Sequence, residues 1–290
     1  MTTEDLFILL FCTVDDWLRE HGVPARPGPL PMCSDSELLT FALARELLGY
    51  DSERRFRRVL LADWRHLFPH VPAQSELNRR TRWLGGALEL LRQHWLRDLP
   101  GMTDGWVAFD TTPLPVKQPS RVRHPDAWAG PEELHAGFGF CAAKALWFYG
   151  FRLATLGPLL DPVPWVWALV PAAVNERAVL QAMVEGAHDL RVLADKGLSS
   201  NALAAALREQ RIVLLTPPTK AQRETMPTAV RAFIAAHRGR IESSYNVLKD
   251  QLHLEHHRAK TFYGLLTRIM GKLATYTLRA AWRYAGLTVE

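Results

Sequence analysis

The alternation of short β-type runs with helices between residues 106 and 215 constrains the fold more than any other feature of the chain. Aromatic and β-branched residues concentrate in five runs, which predict strands at 106–110, 148–156, 164–170, 191–195 and 212–215. A helix precedes the fourth run and another separates the last two. The β-α-β unit at the end is therefore predicted to be parallel and right-handed, with strands buried on both faces. The pattern predicts a mixed sheet with flanking helices.

Residues 1–100 have the pattern of helices instead. The run 6–20 has helical periodicity, and Ser34 or Asp35 is a fitting N-cap for a second helix over 38–48. Pro100 and Gly101 mark a boundary. We therefore predict an all-α domain over residues 1–100 and an α/β domain over residues 101–290.

The basic charge of the chain lies in its second part. The formal net charge is +5, made of −1 over residues 1–100 and +6 over residues 101–290. The segment 258–289 has six Lys or Arg residues and no acid, as expected of a helix that lies along phosphates. This distribution favours a polyanionic partner.

Composition excludes several other classes of protein. The chain is 48% apolar, which is typical of a globular protein with a sizeable core. No apolar run reaches the roughly 18 residues of a membrane span, and Glu4 and Asp5 stand where a secretory signal would be basic. Three widely spaced cysteines indicate neither a disulfide framework nor a zinc site. We expect a cytoplasmic protein without membrane contact.

Three acids follow the order that this sheet would need to form one site. Asp110 ends the first predicted strand, Asp195 ends the fourth, and Glu242 lies on a later helix. If the first and fourth strands are neighbours and that helix crosses them, the three carboxylates meet. Three hard oxygen ligands suit Mg²⁺ or Mn²⁺, and two such ions about 3.5–4 Å apart support phosphoryl transfer.

Each acid also has a simpler interpretation. Asp195 before Lys196 could be a turn former, and Glu242 could pair with Arg238 on a surface helix. Asp110 is harder to explain in this way, because it follows an apolar run and an unpaired buried charge costs several kcal/mol. On an α-helix, Arg238, Glu242, Tyr245 and Lys249 would share one face.

Four motifs of this chain resemble those of DDE transposases of bacterial insertion sequences. They are Phe109-Asp110-Thr111-Thr112-Pro113-Leu114-Pro115-Val116, Tyr149-Gly150-Phe151-Arg152-Leu153, Asp195-Lys196-Gly197 and Arg240-Ile241-Glu242. The resemblance covers about residues 36–276 and is closest to the IS982 family, within the IS4/IS5-type superfamily. Two positions depart from the pattern: Ala235 replaces the Tyr of the Tyr-Arg-Glu-Lys signature, and Thr111 stands where Ser is frequent.

This resemblance implies an RNase H-like catalytic domain over residues 101–290, preceded by a helical domain for DNA binding and assembly. Asp110, Asp195 and Glu242 would be the catalytic residues and would bind two Mg²⁺ or Mn²⁺ ions. The signature implies that Arg238 and Lys249 hold DNA phosphates. The residues expected to contact DNA are Arg238, Arg240, Lys249, Lys196, Arg258, Lys260, Arg79 and Arg80.

Several of these basic residues have open alternatives. Arg79 and Arg80 could be part of a solvated helix face, and Lys196 could be an ordinary surface charge. His253 and His257 are spaced as i and i+4, which would permit a zinc site on a helix, although phosphate contact fits them better. The ten Trp residues fit sheet and core packing, and the sequence singles out none of them for base stacking.

The predicted activity is cleavage at insertion-sequence ends and joining of the 3′-hydroxyls to target DNA. Double-stranded DNA is the expected partner, and the protein is expected to act in the nucleoid as a homodimer or larger assembly. Two alternatives remain open: a nuclease of the same fold that does not join DNA, and a non-catalytic DNA-binding protein that retains the fold.

Overall fold

The computed structural model describes residues 1–22, 28–99, 105–122, 128–131, 134–159, 161, 163–220 and 222–287. Two compact units are present: Met1–Leu99 together with Leu248–Glu290, here the helical unit, and Pro100–Val247, here the sheet unit. The helices are α1 (Thr3–His21), α2 (Asp35–Leu47), α3 (Glu53–Asp63), α4 (Gln74–Trp83), α5 (Gly85–Arg97), α6 (Glu176–Met183), α7 (Asn201–Glu209), α8 (Thr228–Asn246) and α9 (Phe262–Tyr284). The strands are β1 (Trp106–Lys117), β2 (Gly137–Cys141), β3 (Leu146–Pro158), β4 (Val166–Pro171), β5 (Arg191–Ala194) and β6 (Val213–Leu215). None of the helices in the described residues is long and apolar enough to cross a bilayer.

The helical unit packs α1–α5 and α9 around one apolar core. Leu10, Phe41 and Leu88 are buried in this core, and Leu278 and Trp282 of α9 belong to the same cluster. At the start of α2, the Ser34 hydroxyl accepts a hydrogen bond from the backbone N–H of Glu37, and the Glu37 carboxylate accepts one from the backbone N–H of Ser34. The predicted helical first part and its N-cap at Ser34 are confirmed.

A buried ion pair joins α2 to α9. Lys272 Nζ lies 2.6 Å from Glu46 Oε2, and each side chain is 4% exposed. Burial alone would raise the pKa of the Glu46 carboxyl, but the cations of Arg45 and Lys272 outweigh burial and lower this pKa. The basic segment 258–289 was expected to lie along phosphates, whereas its Lys272 lies in the core. That expectation is wrong for this residue, because the apolar face of α9 is the inner wall of the unit.

One boundary between the compact units lies after Leu99, and Leu248–Glu290 packs with the N-terminal helices. The division into domains 1–100 and 101–290 stays a prediction. The physical reason is that α9 supplies Ala274, Leu278 and Trp282 to their core. The α/β part therefore ends at Val247 as a compact unit.

The sheet unit contains a six-stranded mixed sheet in the order β2-β3-β1-β5-β6, with β4 beside β3. Strand β1 pairs antiparallel with β3 and parallel with β5, and β5 pairs parallel with β6. The predicted adjacency of the first strand and the 191–195 strand is confirmed, as is the parallel β5-α7-β6 unit. The mixed α/β fold preceded by a helical region is thus as predicted.

Helices cover both faces of this sheet. On one face, Val107, Phe109 and Ala194 pack with residues of α6 and α7. On the other, Leu193 packs with Ile234 of α8, and Ala108 lies against the same cluster. Residues therefore alternate between an α6/α7 face and an α8 face along β1 and β5.

Two strand predictions need correction. The first strand was expected to end at Asp110, whereas β1 continues to Lys117 in antiparallel pairing with β3. Pro113 and Pro115 are tolerated there because the described pairing of β1 with β5 ends at Phe109, before these prolines. Strand β2 was not predicted, because its two glycines weaken the β-type pattern.

Candidate active site

Asp110 and Asp195 occupy equivalent positions on neighbouring parallel strands. In the β1–β5 register, Phe109 lies opposite Ala194, and Asp110 and Asp195 are the residues that follow this last pair. Neighbouring strands are about 4.8 Å apart. The carboxyl end of the parallel pair thus brings the backbone positions of the two acids side by side.

Both acids belong to the α8 face of the sheet. Asp110 is two residues after Ala108 and Asp195 is two residues after Leu193, and these residues lie against the cluster that contains Ile234 of α8. Since strand side chains alternate with period two, the acids continue this face. Asp195 is exposed, and Asp110 is half-buried, with one carboxylate oxygen accepting a hydrogen bond of 2.7 Å from the backbone N–H of Thr111.

Tyr245 fixes α8 to the strands beside Asp110. Its buried hydroxyl lies 3.0 Å from the carbonyl oxygen of Asp110 and 2.9 Å from that of Leu153, to which it can donate. It accepts a hydrogen bond of 3.0 Å from the Thr155 hydroxyl, and Thr155 is the antiparallel partner of Asp110. Burial raises the pKa of Tyr245 well above 10.0, and the negative charge of Asp110 adds to the shift. Tyr245 is therefore a neutral donor that places α8 next to Asp110.

Glu242 lies on α8 one turn before Tyr245. Residues three apart on a helix are neighbours, so the backbone of residue 242 lies near Tyr245 and therefore near Asp110. The side chains of Arg238, Arg240 and Glu242 lie outside the described residues. Within the part of the chain that the structure describes, no group of three or more His, Cys, Asp or Glu could hold a metal ion.

The α-helical spacing to Lys249 is not maintained. Helix α8 ends at Asn246, and Val247–Gln251 form a π-helical turn. A π turn has a wider spacing, so Lys249 departs from the face predicted for a continuous α-helix. Its ammonium lies 3.9 Å from the Glu255 carboxylate.

A second polar network lies behind Asp110, on the α6/α7 face. The Thr111 hydroxyl donates a hydrogen bond of 2.9 Å to Glu176 at the start of α6. Arg152 on β3 forms an ion pair with the same carboxylate oxygen and donates to the carbonyl oxygens of Ala172 and Phe140. This network joins three strands and one helix directly behind the acid.

The sequence pointed to only part of this network. Thr111 and Arg152 belong to the motifs of the resemblance but Glu176 does not, because the spacing of these residues in sequence does not reveal that they share a partner. Gly150, in the same motif as Arg152, has a packing role: a Cβ there would collide with the carbonyl oxygen of Leu114 on β1.

The predicted DNA-contacting residues differ in exposure. Lys196 is exposed beside Asp195 in the sheet unit, and Arg79, Arg258 and Lys260 are exposed in the helical unit. Arg80 is buried, and its guanidinium donates a hydrogen bond of 2.8 Å to Asp35. The expected phosphate contact is therefore wrong for Arg80, which joins α4 to the start of α2.

The histidines at 253–257 do not have the helical spacing considered for zinc. His253 has left-handed backbone angles, and a short 3₁₀ turn follows it. Its ring bonds the Asp51 carboxylate, while His257 is buried and accepts a hydrogen bond of 3.1 Å from the backbone N–H of Ala259. Both rings have structural partners within the helical unit.

Comparison with known proteins gives one family. The family model described as a transposase DDE domain matches residues 103–278, more than half of the chain. No curated protein matches the chain. Among solved structures, a piggyBac transposase synaptic complex with hairpin DNA shares 9% identity over 99% of this chain and 77% of that chain, with a TM-score of 0.45. A pre-cleavage Mos1 transpososome shares 13% identity over 95% of this chain and 87% of that chain, with a TM-score of 0.24.

Proposed function

Since this chain belongs to the family of transposase DDE domains, we propose that it cleaves DNA at the ends of an insertion sequence and joins the 3′-hydroxyls to target DNA. The observation that carries the proposal is the pairing of β1 with β5. It sets Asp110 and Asp195 side by side on the face that α8 covers, and α8 contains position 242. We also propose that the sheet unit is RNase H-like and that the chain belongs to the IS982 family.

Members of this family generally use divalent metal ions, and the donor set here fits them. Asp110 and Asp195 supply hard oxygen ligands from one sheet face, and Glu242 is the proposed third ligand. Two Mg²⁺ or Mn²⁺ ions, when bound, would activate water or a 3′-hydroxyl and stabilise the leaving oxygen.

The chain's own residues have separate roles in this proposal. Tyr245 stays protonated and holds α8 against β1, which keeps the three acids together. Lys196, beside Asp195, is placed to contact a phosphate of the DNA near the site. We assign Arg238, Arg240 and Lys249 to phosphate contacts as well. In the helical unit, Arg79, Arg258 and Lys260 are proposed to contact double-stranded DNA.

Single substitutions test the assignment of the acids. We expect Asp110→Asn, Asp195→Asn and Glu242→Gln each to lower the rate of end cleavage in Mg²⁺ by more than about 100-fold. Loss of a residue that only hydrogen-bonds to a metal ligand already lowers metal affinity or activity about 10–100-fold, and loss of the ligand itself should have a larger effect. The matched control is Asp189→Asn, since Asp189 is exposed and pairs with Arg211 on the surface of the same unit. Labelled end DNA, with full-length protein of unchanged circular dichroism, gives the rate.

Three outcomes separate the alternatives. Cleavage without strand transfer by the wild-type protein would identify a nuclease. Strong, salt-dependent DNA binding without calorimetric Mn²⁺ binding would identify a non-catalytic DNA-binding protein. Normal cleavage by folded Asp110→Asn or Glu242→Gln protein would disprove the assignment of these residues. Light scattering of the end-DNA complex tests the proposed homodimer or larger assembly.

A further inference from the structure

The first turn of α6 contacts the chain just after each of the two acids on the sheet. Asn175 caps this helix, because its side-chain oxygen accepts a hydrogen bond of 2.9 Å from the backbone N–H of Arg177. The cap holds the backbone of this turn in one conformation. The side chains of two consecutive residues, Glu176 and Arg177, therefore extend from a fixed base.

Glu176 binds the segment that contains Asp110. Its carboxylate accepts the hydrogen bond of the Thr111 hydroxyl, and Thr111 directly follows Asp110 on β1. The Arg152 guanidinium pairs with the same carboxylate oxygen from β3. The Asp110 side of the site is thus attached to the start of α6.

Arg177 binds the segment that contains Asp195. Its Nη2 atom lies 3.0 Å from the carbonyl oxygen of Gly197 and 3.1 Å from that of Ser199, and it donates a hydrogen bond to each. A guanidinium NH₂ group has two hydrogens, so one nitrogen can serve both acceptors. The Asp195 side of the site is attached to the same turn of α6.

The two acceptors lie at the end of a short 3₁₀ turn, Lys196–Leu198, which begins directly after Asp195. The hydrogen bonds of the turn itself use the carbonyl oxygens of Asp195 and Lys196, which accept from the backbone N–H groups of Leu198 and Ser199. The last carbonyls of a helical turn have no partner within it, and a basic side chain is a frequent donor to them. The arginine of α6 supplies this donor.

Leu198 anchors the same turn from the core. It is 2% exposed and packs with residues of α6 and α7, whereas Lys196 and Gly197 are exposed. Asp195 occupies the N-cap position of the turn, but within the described residues its side chain makes no capping hydrogen bond. The carboxylate is therefore not used to form the turn, as the simpler interpretation of this acid would require.

The strand pairing alone does not set the separation of the two acids. The described register of β1 and β5 ends with Phe109 opposite Ala194, one residue before Asp110 and Asp195. Beyond this pair, the contacts of α6 with both segments are the restraint that joins them. Ligands of one metal centre need such a restraint, because the residues that orient a ligand affect metal affinity strongly.

We propose that Arg177 is a positioning residue for the metal centre, and that the first turn of α6 is a clamp in which Glu176 holds the Asp110 segment and Arg177 holds the Asp195 segment. The inference rests on the proposed function in taking these acids as metal ligands. It extends that function, because Arg177 belongs to none of the four motifs that resemble transposases and acts through the Asp195 turn.

Arg177→Met in the full-length protein removes both hydrogen bonds, since methionine has no N–H or O–H donor. We expect Mn²⁺ affinity, measured by calorimetry without DNA, to fall about 10–100-fold, as is usual when a residue that orients a metal ligand is lost. Hydrogen exchange of the amides at 196–199 should accelerate. The melting temperature and the affinity for end DNA should stay unchanged, because the Arg177 side chain is exposed.

Two further variants define the role of the guanidinium. The matched control is Arg208→Met, which removes the same charge from an exposed position in the last turn of α7 and should leave Mn²⁺ affinity at the wild-type value. Arg177→Lys keeps the charge but replaces the planar fork by a single ammonium. It should therefore restore Mn²⁺ affinity only in part.

Three results would overturn the proposal. The first is wild-type Mn²⁺ affinity in Arg177→Met, whatever happens to hydrogen exchange. The second is weaker Mn²⁺ binding without faster exchange at 196–199. The third is a lower melting temperature in both Arg177 variants, which would indicate a general structural defect. Failure of the proposed function has a different readout, because the wild type would then show neither end cleavage nor Asp110-dependent Mn²⁺ binding.

Discussion

At the scale of single residues, Tyr245 is the group on which the geometry around Asp110 depends most directly. Its hydroxyl meets two carbonyl oxygens and the Thr155 hydroxyl at 2.9–3.0 Å in a buried setting. A buried polar group that loses its partner costs about 1–3 kcal/mol. The hydroxyl therefore stabilises this region and holds α8 in position against the sheet.

We expect Tyr245→Phe to lower the opening free energy of β1 and β3 near Asp110 by about 1–3 kcal/mol, since the buried Thr155 hydroxyl and Leu153 carbonyl and the half-buried Asp110 carbonyl lose a partner. Native-state hydrogen exchange of the amides at 109–112 and 153–156 measures this change. Tyr263→Phe is the control, because Tyr263 is 54% exposed. Unchanged protection in Tyr245→Phe would show that the hydroxyl does not hold the helix to the sheet.

At the scale of elements, the sequence predicted best those segments whose ends carry local signals. Ser34 caps α2, and this start was predicted from the chemistry of the N-cap. The predicted first strand ended at Asp110, and Pro113 and Pro115, which follow it, are unfavourable in a central strand. Only the three-dimensional structure shows that β5 stops pairing with β1 before these prolines. Local sequence could therefore not predict how far β1 extends.

The candidate site, too, was predicted only where the local sequence carries a signal. Asp110 and Asp195 were predicted because each follows an apolar strand, and the parallel pairing of β1 with β5 brings these two positions together. Glu176 was not found as part of the site, since its link to Thr111 joins residues 65 apart in sequence. A contact of this kind depends on how α6 is placed against β1, which no local pattern encodes.

The network of Thr111, Arg152 and Glu176 is a positioning device behind Asp110. We expect Glu176→Gln and Arg152→Gln each to reduce end cleavage about 10–100-fold while DNA affinity changes less than twofold, because the network lies on the opposite sheet face from the acids. Single-turnover rates and anisotropy measure the two quantities. Glu185→Gln is the control, an exposed acid just after α6.

A double variant separates positioning from general loss of structure. If Arg152 and Glu176 act as one unit, the combined substitution should be no slower than the slower single variant. Arg152→Lys should restore part of the rate by retaining the charge. Equal losses of rate and DNA affinity would instead indicate a structural defect.

At the scale of the whole molecule, the helical unit is discontinuous in sequence. Residues 1–99 and 248–290 form it together, with the sheet unit inserted between them. The Glu46–Lys272 ion pair joins the two segments across 226 residues and is buried on both sides. The sequence division at residue 100 missed this because the basic composition of α9 suggested an external helix, whereas its apolar face completes the core.

Glu46→Gln tests whether this ion pair holds the two segments together. The change leaves Lys272 as a buried cation without its carboxylate and leaves Arg45 with only Glu53, and breaking a buried pair in this way costs about 3–5 kcal/mol. We therefore expect hydrogen exchange of α2 and α9 amides to accelerate together. Glu20→Gln is the control, because the Glu20 side chain is 74% exposed.

The difference between wild type and Glu46→Gln should also depend on pH. The folded-state pKa of Glu46 is lowered from the ordinary value of 4.5, because Arg45 and Lys272 outweigh the opposing effect of burial. The ionised carboxylate therefore contributes its full stability above pH 4.5, and this contribution is lost as pH falls through the folded-state pKa. The exchange difference should be constant from pH 6 to 8 and should shrink below pH 4.5. A difference that grows on acidification would contradict the assignment of Glu46 as a buried anion.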